Sequence, residues 1–254
     1  MMRKLPSLTL LFLLSPLLAF TIVGVPHSYA EGMTEEQATA ILNELKQIRQ
    51  LLEQQQTRSA GGAAVNDQVS LAARDVYVLG SEHAKVTLVE FTDYQCPFCN
   101  KFHLNTFPEL KKQFVDTGLV RFVSRDLPLK FHEHAFEAAR AARCAGEQAR
   151  YWEVRDWLSS HPDNLTNDAI LSAATQTGVD GPSFQACLES DRHLADVQQD
   201  IADAKAIGIT GTPGFVIGRS SNGILEGIKI VGAQSYEAFE AKINQQLSAA
   251  EKKP

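Results

Sequence analysis

The chain has 254 residues, 44% of them hydrophobic and 21% charged, with a formal net charge of −6. This ordinary globular composition excludes a collagen-like or largely disordered chain. An acidic chain without a long Lys/Arg run is a poor candidate for nucleic-acid binding, and four Cys are too few for a small disulfide-dense scaffold.

Arg3 and Lys4 precede an apolar stretch over residues 8–25, which ends at Pro26 and then Ser28-Tyr29-Ala30. A basic start, an apolar middle and a small-x-small end are the layout of a secretory signal peptide. Residues 1–30 are therefore predicted to be a cleaved signal, and the protein to be exported to a periplasm. An uncleaved membrane anchor is the lesser alternative, because the run approaches spanning length; Pro16 in its middle weighs against it. Export places the Cys in an oxidising compartment where disulfides persist.

Residues 31–57 are predicted to form an N-terminal oligomerisation segment, helical over 34–56. Thr34 and Gln37 make a capping-box start, and Glu35 and Glu36 lie where the helix dipole favours negative charge. Ala38, Ile41, Leu45, Ile48 and Leu52 follow in 3-4-3-4 spacing as an a/d seam, flanked by Leu42 and Leu51. Residues 58–74, with Ala60-Gly61-Gly62-Ala63-Ala64, read as a flexible linker without core-forming residues. A helix tethered in this way is expected to bury its seam by self-association. Leu at a and Ile at d leans toward more than two strands, but over two to three heptads the rule is weak. The expectation is a homo-oligomer, dimer favoured over trimer.

The domain over 75–254 reads as α/β. Residues 86–91 form a buried-type strand, 96–115 a helix and 119–123 a second strand, a βαβ unit with parallel pairing. Helix signals then fill residues 127–207, punctuated by Pro162, Gly178 and Asp180-Gly181-Pro182. Residues 214–217 and 228–231 are two further strands joined by a turn at Ser220-Ser221-Asn222-Gly223, and a helix over 236–247 closes the domain.

Cys96-Pro97-Phe98-Cys99 falls between the first strand and its helix. Free N–H groups and the positive dipole end of a helix N-terminus stabilise a thiolate. The thiolate is the reactive form of Cys, and Pro97 suits a first turn because it has no N–H to satisfy. A zinc site would call for a second Cys or His pair at ligand spacing. Cys144 and Cys187 are isolated from each other, and His132 and His134 diverge on a helix, so no metal is expected.

These residues resemble the DsbA-like thiol–disulfide oxidoreductases of the thioredoxin superfamily. The resemblance runs from about Tyr77 to Leu247. It is carried by Val89-Glu90-Phe91, Cys96 to His103, Arg125-Asp126-Leu127-Pro128-Leu129, Ala141-Ala142-Arg143-Cys144-Ala145, Gly211-Thr212-Pro213 and Val231-Gly232-Ala233-Gln234. It implies a thioredoxin fold, α/β, with an inserted α-helical subdomain over 127–207. It makes Cys96 the exposed nucleophile and Cys99 its more buried partner. Thr212-Pro213 would carry a cis peptide facing the pair, and Glu90, six residues before Cys96, would be a buried acid that relays a proton to or from Cys99. Phe98 departs from the His found there in strongly oxidising members, which leaves the direction of reaction open between disulfide formation and isomerisation. With Cys96 and Cys99 taken as one pair, Cys144 and Cys187 are left for a structural disulfide, two buried free thiols being the alternative.

The implied activity is that of a protein disulfide oxidoreductase or isomerase with no dissociable cofactor. Its partners would be unfolded or misoxidised exported proteins and a membrane or periplasmic thiol redox partner. The rival reading is a non-catalytic chaperone or surface binding protein on the same scaffold.

Overall fold

The computed structural model describes residues 34–61, 67–74 and 77–251. The predicted signal peptide lies outside the described residues. Among those described, no helix is long and apolar enough to cross a membrane.

The chain separates into two compact units after Gly62. The described part of the first is the helix α1, Glu35–Gly61. Its capping box is formed: the Gln37 N–H donates to Thr34 Oγ1 at 3.2 Å, and the Thr34 N–H donates to Gln37 Oε1 at 3.0 Å. Ile41, Leu42, Leu45, Ile48 and Leu51 are each about half exposed, from 49% to 58%. The helix runs past the predicted end at 56, because Thr57, Arg58, Ser59 and Ala60 carry no helix breaker.

The second unit is built on a six-stranded sheet in the order β1-β6-β5-β3-β4-β2. The strands are β1 (Gln68–Ala72), β2 (Val78–Leu79), β3 (Val86–Thr92), β4 (Val120–Asp126), β5 (Gly214–Ser221) and β6 (Ile224–Val231). β3 and β4 are parallel, in register from Val86 opposite Val120 to Thr92 opposite Asp126; the other pairings are antiparallel. β3 is buried along its whole length, Thr87 and Glu90 included, as a central strand covered on both faces is. The β5–β6 hairpin turns on Asn222 and Gly223, both at positive φ (53° and 76°), as a two-residue turn matched to strand twist requires. The strands therefore run closer to the turn than predicted.

The linker expectation for 58–74 is corrected at both ends. Residues up to Gly61 belong to α1, and 68–72 form edge strand β1, hydrogen-bonded to β6. The periodicity there is short, but Val69 and Leu71 alternate with polar residues, and Leu71 is buried in the core.

The nine helices labelled here continue with α2 (Pro97–Lys101), α3 (Phe107–Leu110), α4 (Ala135–Gly146), α5 (Tyr151–Ser160), α6 (Asn167–Gln176), α7 (Gly181–Leu188), α8 (Leu194–Ala206) and α9 (Tyr236–Glu251). One π-helical turn, Phe102–Thr106, joins α2 to α3, and a second, Lys111–Val115, extends α3, so that they form one continuous rod. Pro108 lacks an N–H, and the Phe107 N–H reaches back five residues to Phe102 O. One face of the sheet packs on this rod and α9 through Phe102, Phe107, Phe122, Phe215 and Phe239. Helices α4 to α7 gather round a separate core of Ala138, Ala141, Ala142, Leu158 and Phe184. This matches the inserted helical subdomain.

A buried charge network ties the insertion to β4. Arg143 Nε donates to Asp126 Oδ2 at 2.6 Å and Arg125 Nε to Asp200 Oδ1 at 2.8 Å, while Arg143 Nη2 also pairs with Asp200. The Asp126 carboxyl is pushed up to about 6, by burial first, with Arg143 opposing and Asp200 adding to the rise. Arg125-Asp126 and Arg143 were family markers in the sequence; structurally they join the two halves of the domain.

Candidate active site

Cys96 is the N-cap of α2 and Pro97 follows at the first helical position. The Cys96 N–H donates to Asp93 O, and Cys96 O accepts from the Asn100 N–H, both at 3.1 Å. The sulfur is therefore delivered by the strand–helix junction, where free N–H groups converge. Cys96 and Cys99 are both free thiols.

The two sulfurs have opposite electrostatics. The Cys96 pKa is lowered from 9.0 to about 5, chiefly by a hydrogen bond from the Cys99 thiol. Thr212 and the backbone N–H groups of Cys99 and Phe98 add to the lowering, and burial opposes it. The Cys99 thiol is pushed well up by burial, by its bond to Cys96 and by the charge of Glu90, against the Asp93 N–H, which donates to Cys99 Sγ at 3.5 Å. One thiol is thus a ready nucleophile while the other holds its proton.

Accessibility corrects one expectation. Cys96 is not exposed: it is 3% accessible and Cys99 4%. The loop carrying the cis Thr212–Pro213 peptide lies against Cys96, whose Sγ is 3.5 Å from Thr212 O. Thr212 Oγ1 is buried and has no hydrogen-bond partner among the described residues. The Gly232 N–H anchors the loop by donating to Pro213 O at 2.9 Å. Beside these covered sulfurs, Phe98 is 61% exposed.

Glu90 is 1% exposed on β3, flanked by Ser124 and Phe215 on the neighbouring strands. Its Oε2 accepts from Arg155 Nη2 at 2.5 Å. Burial raises the carboxyl, opposed mainly by Arg155. His103 is partly buried and faces the same guanidinium, Nδ1 to Nη1 at 3.5 Å, and burial followed by the Arg155 charge lowers its pKa to about 4.

Sequence reasoning missed two residues here. Asp93 organises the approach to the cysteines: Oδ1 accepts from the Gln95 N–H at 2.8 Å, while Oδ2 takes the Leu129 N–H at 2.7 Å and lies 2.8 Å from His132 Nδ1. The available signal was an Asp two residues before a loop N–H, an Asx turn. The second residue, Arg155, is a cation at a core position of the pattern Tyr151, Val154, Arg155, Leu158, all buried.

Cys144 of α4 and Cys187 of α7 are bonded to each other, with Cα atoms 5.8 Å apart. Among the described residues, one group of three metal-ligand atoms lies within 4.8 Å, Cys144, Cys187 and His193; both of its sulfurs are engaged in the disulfide.

The model of the family described as thioredoxin matches residues 72–245. The chain belongs to the thioredoxin family. Among solved thioredoxin-like structures, Wolbachia pipientis alpha-DsbA1 superposes with a TM-score of 0.62 at 23% identity, covering 70% of this chain and 94% of the other. A thioredoxin-like oxidoreductase from Silicibacter pomeroyi gives 0.56 at 26%, covering 72% and 97%. The catalytic domain of Proteus mirabilis ScsC gives 0.57 at 26%, covering 70% and 93%. Curated sequence relatives include a Na(+)/H(+) antiporter NhaA 3 of Salinispora tropica, 32% identical over 179 residues, which are 70% of this chain and 26% of that protein. The chain spans about a quarter of the length of the curated relatives it matches. Together, the cysteine pair and the likeness to the Silicibacter pomeroyi and ScsC structures support thiol oxidoreductase chemistry.

Proposed function

We propose that this protein is an exported thiol–disulfide oxidoreductase that forms or isomerises disulfides in secreted proteins through Cys96 and Cys99. The observation that carries this reading is the split pair: a Cys96 thiolate at a helix N-terminus beside a protonated, buried Cys99. In the oxidised enzyme, a substrate thiolate attacks Cys96 Sγ, the Cys96–Cys99 bond breaks, and Cys99 leaves and takes a proton. A second substrate thiolate then attacks the substrate sulfur of the mixed disulfide. This releases oxidised substrate and leaves Cys96 as a stabilised thiolate, and two electrons have passed from substrate to enzyme. Held reduced, the same Cys96 attacks a mispaired disulfide and reshuffles it. Thr212-Pro213 covers the reacting sulfur and offers backbone to an incoming chain, and Glu90 relays the Cys99 proton.

The exposed seam of Ile41, Leu45 and Ile48 supports self-association of the N-terminal helix, which would bring several redox sites together on one unfolded or misoxidised client and raise their effective concentration. The apolar run and small-x-small end of residues 1–30 support a periplasmic location, with a membrane or periplasmic thiol protein resetting the pair. The reading is tested by following oxidation of a reduced, unfolded test protein: the native chain supports turnover, Cys96→Ser abolishes it, and Cys99→Ser accumulates mixed disulfides. Full activity in Cys96→Ser would refute it.

A further inference from the structure

The helical insertion gathers a set of metal-ligand side chains that the sequence keeps apart. Cys144 lies in the last turn of α4 and Cys187 in the last turn of α7, 43 positions later. Between α7 and α8 the chain folds back. Ser190 Oγ donates to Cys187 O at 2.7 Å, and the Leu194 N–H donates to Asp191 O at 3.1 Å. Arg140 Nη2, from α4, holds Leu188 O at 2.6 Å. This turn delivers His193, the N-cap of α8, to the cysteines. A ring nitrogen of His193 and both sulfurs all lie within 4.8 Å of one another.

Two features suit this set to a cation. His193 meets a carboxylate on each side, Nε2 lying 3.0 Å from Glu147 Oε1 and Nδ1 3.2 Å from Asp196 Oδ2. Whichever nitrogen turns to a metal, the other keeps its carboxylate, which orients a metal-binding imidazole and raises its basicity. Each cysteine also sits at a helix C-terminus, where the negative dipole end favours positive charge. The same ends disfavour a bare thiolate, so a reduced pair without metal keeps its protons. The arginines that reach these carboxylates are already paired, Arg143 with Asp126 and Asp200 and Arg192 with Glu147.

We propose that the reduced chain binds one zinc ion through Cys144, Cys187 and His193, and that formation of the Cys144–Cys187 disulfide expels it. Two thiolates and an imidazole suit Zn²⁺, whereas Mg²⁺ and Ca²⁺ take oxygen ligands. Tetrahedral zinc with the usual Zn–S bond asks its two sulfurs to stand about 3.8 Å apart. That is about the contact distance of two non-bonded atoms, so α4 and α7, 5.8 Å apart at these Cα atoms, need not separate. Water fills the fourth position, and the ion enters past His193, the most open of the three ligands.

Binding displaces one proton from each thiol and changes no oxidation state. A small disulfide such as glutathione disulfide later oxidises the pair. The two cysteine sulfurs give up two electrons and form their bond. The small disulfide takes those electrons and two protons, parting into two thiols, and Zn²⁺ leaves. In a reducing compartment the chain keeps its thiols, and there the ion ties α4 to α7 as the disulfide does afterwards.

The test uses the full chain carrying Cys96→Ser and Cys99→Ser, which removes the other thiol pair, reduced with a phosphine. Zinc affinity is read by competition with a chromophoric chelator, and Co²⁺ in place of zinc reports sulfur ligation by its thiolate charge-transfer absorbance. The reduced chain should bind one equivalent and the oxidised chain none. His193→Ala keeps both thiols and should weaken zinc by about a hundredfold or more, since changes outside the ligand shell already cost roughly 10–100-fold. Asp196→Asn should cost about tenfold. Replacing Cys144 and Cys187 by Ser should abolish both binding and the cobalt band. His193→Ala leaves both cysteines in place, so it decides should the Ser variant fail to fold. No zinc on the reduced chain, equal zinc on the oxidised chain, or an affinity unmoved by His193→Ala would overturn the proposal.

Discussion

Removing the Cys99 thiol tests how the Cys96 thiolate is stabilised. The leading cause of the lowered Cys96 pKa is the hydrogen bond donated by Cys99. A hydrogen bond to a charged group is worth about 1.5–3 kcal/mol, and one pKa unit corresponds to about 1.4 kcal/mol. Cys99→Ala should therefore raise the Cys96 pKa from about 5 by roughly one to two units. Cys99→Ser keeps a donor and should move it less. The folded value lies below that of an ordinary thiol at 9.0. The thiolate therefore stabilises the reduced fold, fully above the unfolded pKa, and this stability is lost as pH falls through about 5. In Cys99→Ala the loss should be complete at correspondingly higher pH and its total should be smaller. Thiolate absorbance near the ultraviolet sulfur band, followed against pH, gives the pKa directly, and denaturant unfolding of the reduced protein at several pH values gives the linkage. A native midpoint near that of a free thiol, or identical midpoints for the native and Ala proteins, would refute the reasoning.

Thr212→Val removes a buried hydroxyl that helps lower the Cys96 pKa; the same titration should show a rise of about one unit, and no rise would discount that hydroxyl. Replacing Cys144 and Cys187 together by Ala opens a link between residues 43 apart and should cost about 4 kcal/mol of unfolding free energy on the chain-entropy relation; a loss below about 1 kcal/mol would show that the bridge constrains little. Removing residues 31–61 should give a monomer by light scattering that still oxidises a reduced test protein. An unchanged oligomeric mass would place self-association elsewhere.

Most of the catalytic pattern was legible because it is local or covalently constrained. Cys96-Pro97-Phe98-Cys99 announces a helix N-terminus, Thr212-Pro213 marks the loop opposite, and Val86, Leu88, Val89 and Phe91 mark the central strand. What escaped was non-local. β1 offers only Val69 and Leu71 in a polar, Ala-rich stretch, and it becomes a strand because the β6 edge supplies its hydrogen bonds. Arg155 resembles a surface cation until the partner that makes its burial tolerable, Glu90, is brought to it from 65 residues away. The cover over Cys96 likewise depends on a loop 116 residues distant in sequence. Burial of polar groups is decided by who meets them, and spacing along the chain does not carry that information.

The central claim is that Cys96 and Cys99 form a redox couple and not a structural link. Equilibrating the full chain in glutathione redox buffers, with the oxidation state of these two cysteines read by thiol trapping, measures its reduction potential. A stabilised Cys96 thiolate favours the dithiol, so the account predicts a two-electron couple well above about −300 mV, in the range of catalytic pairs. A potential below about −300 mV, beyond reach of the glutathione pool as structural disulfides are, would contradict it.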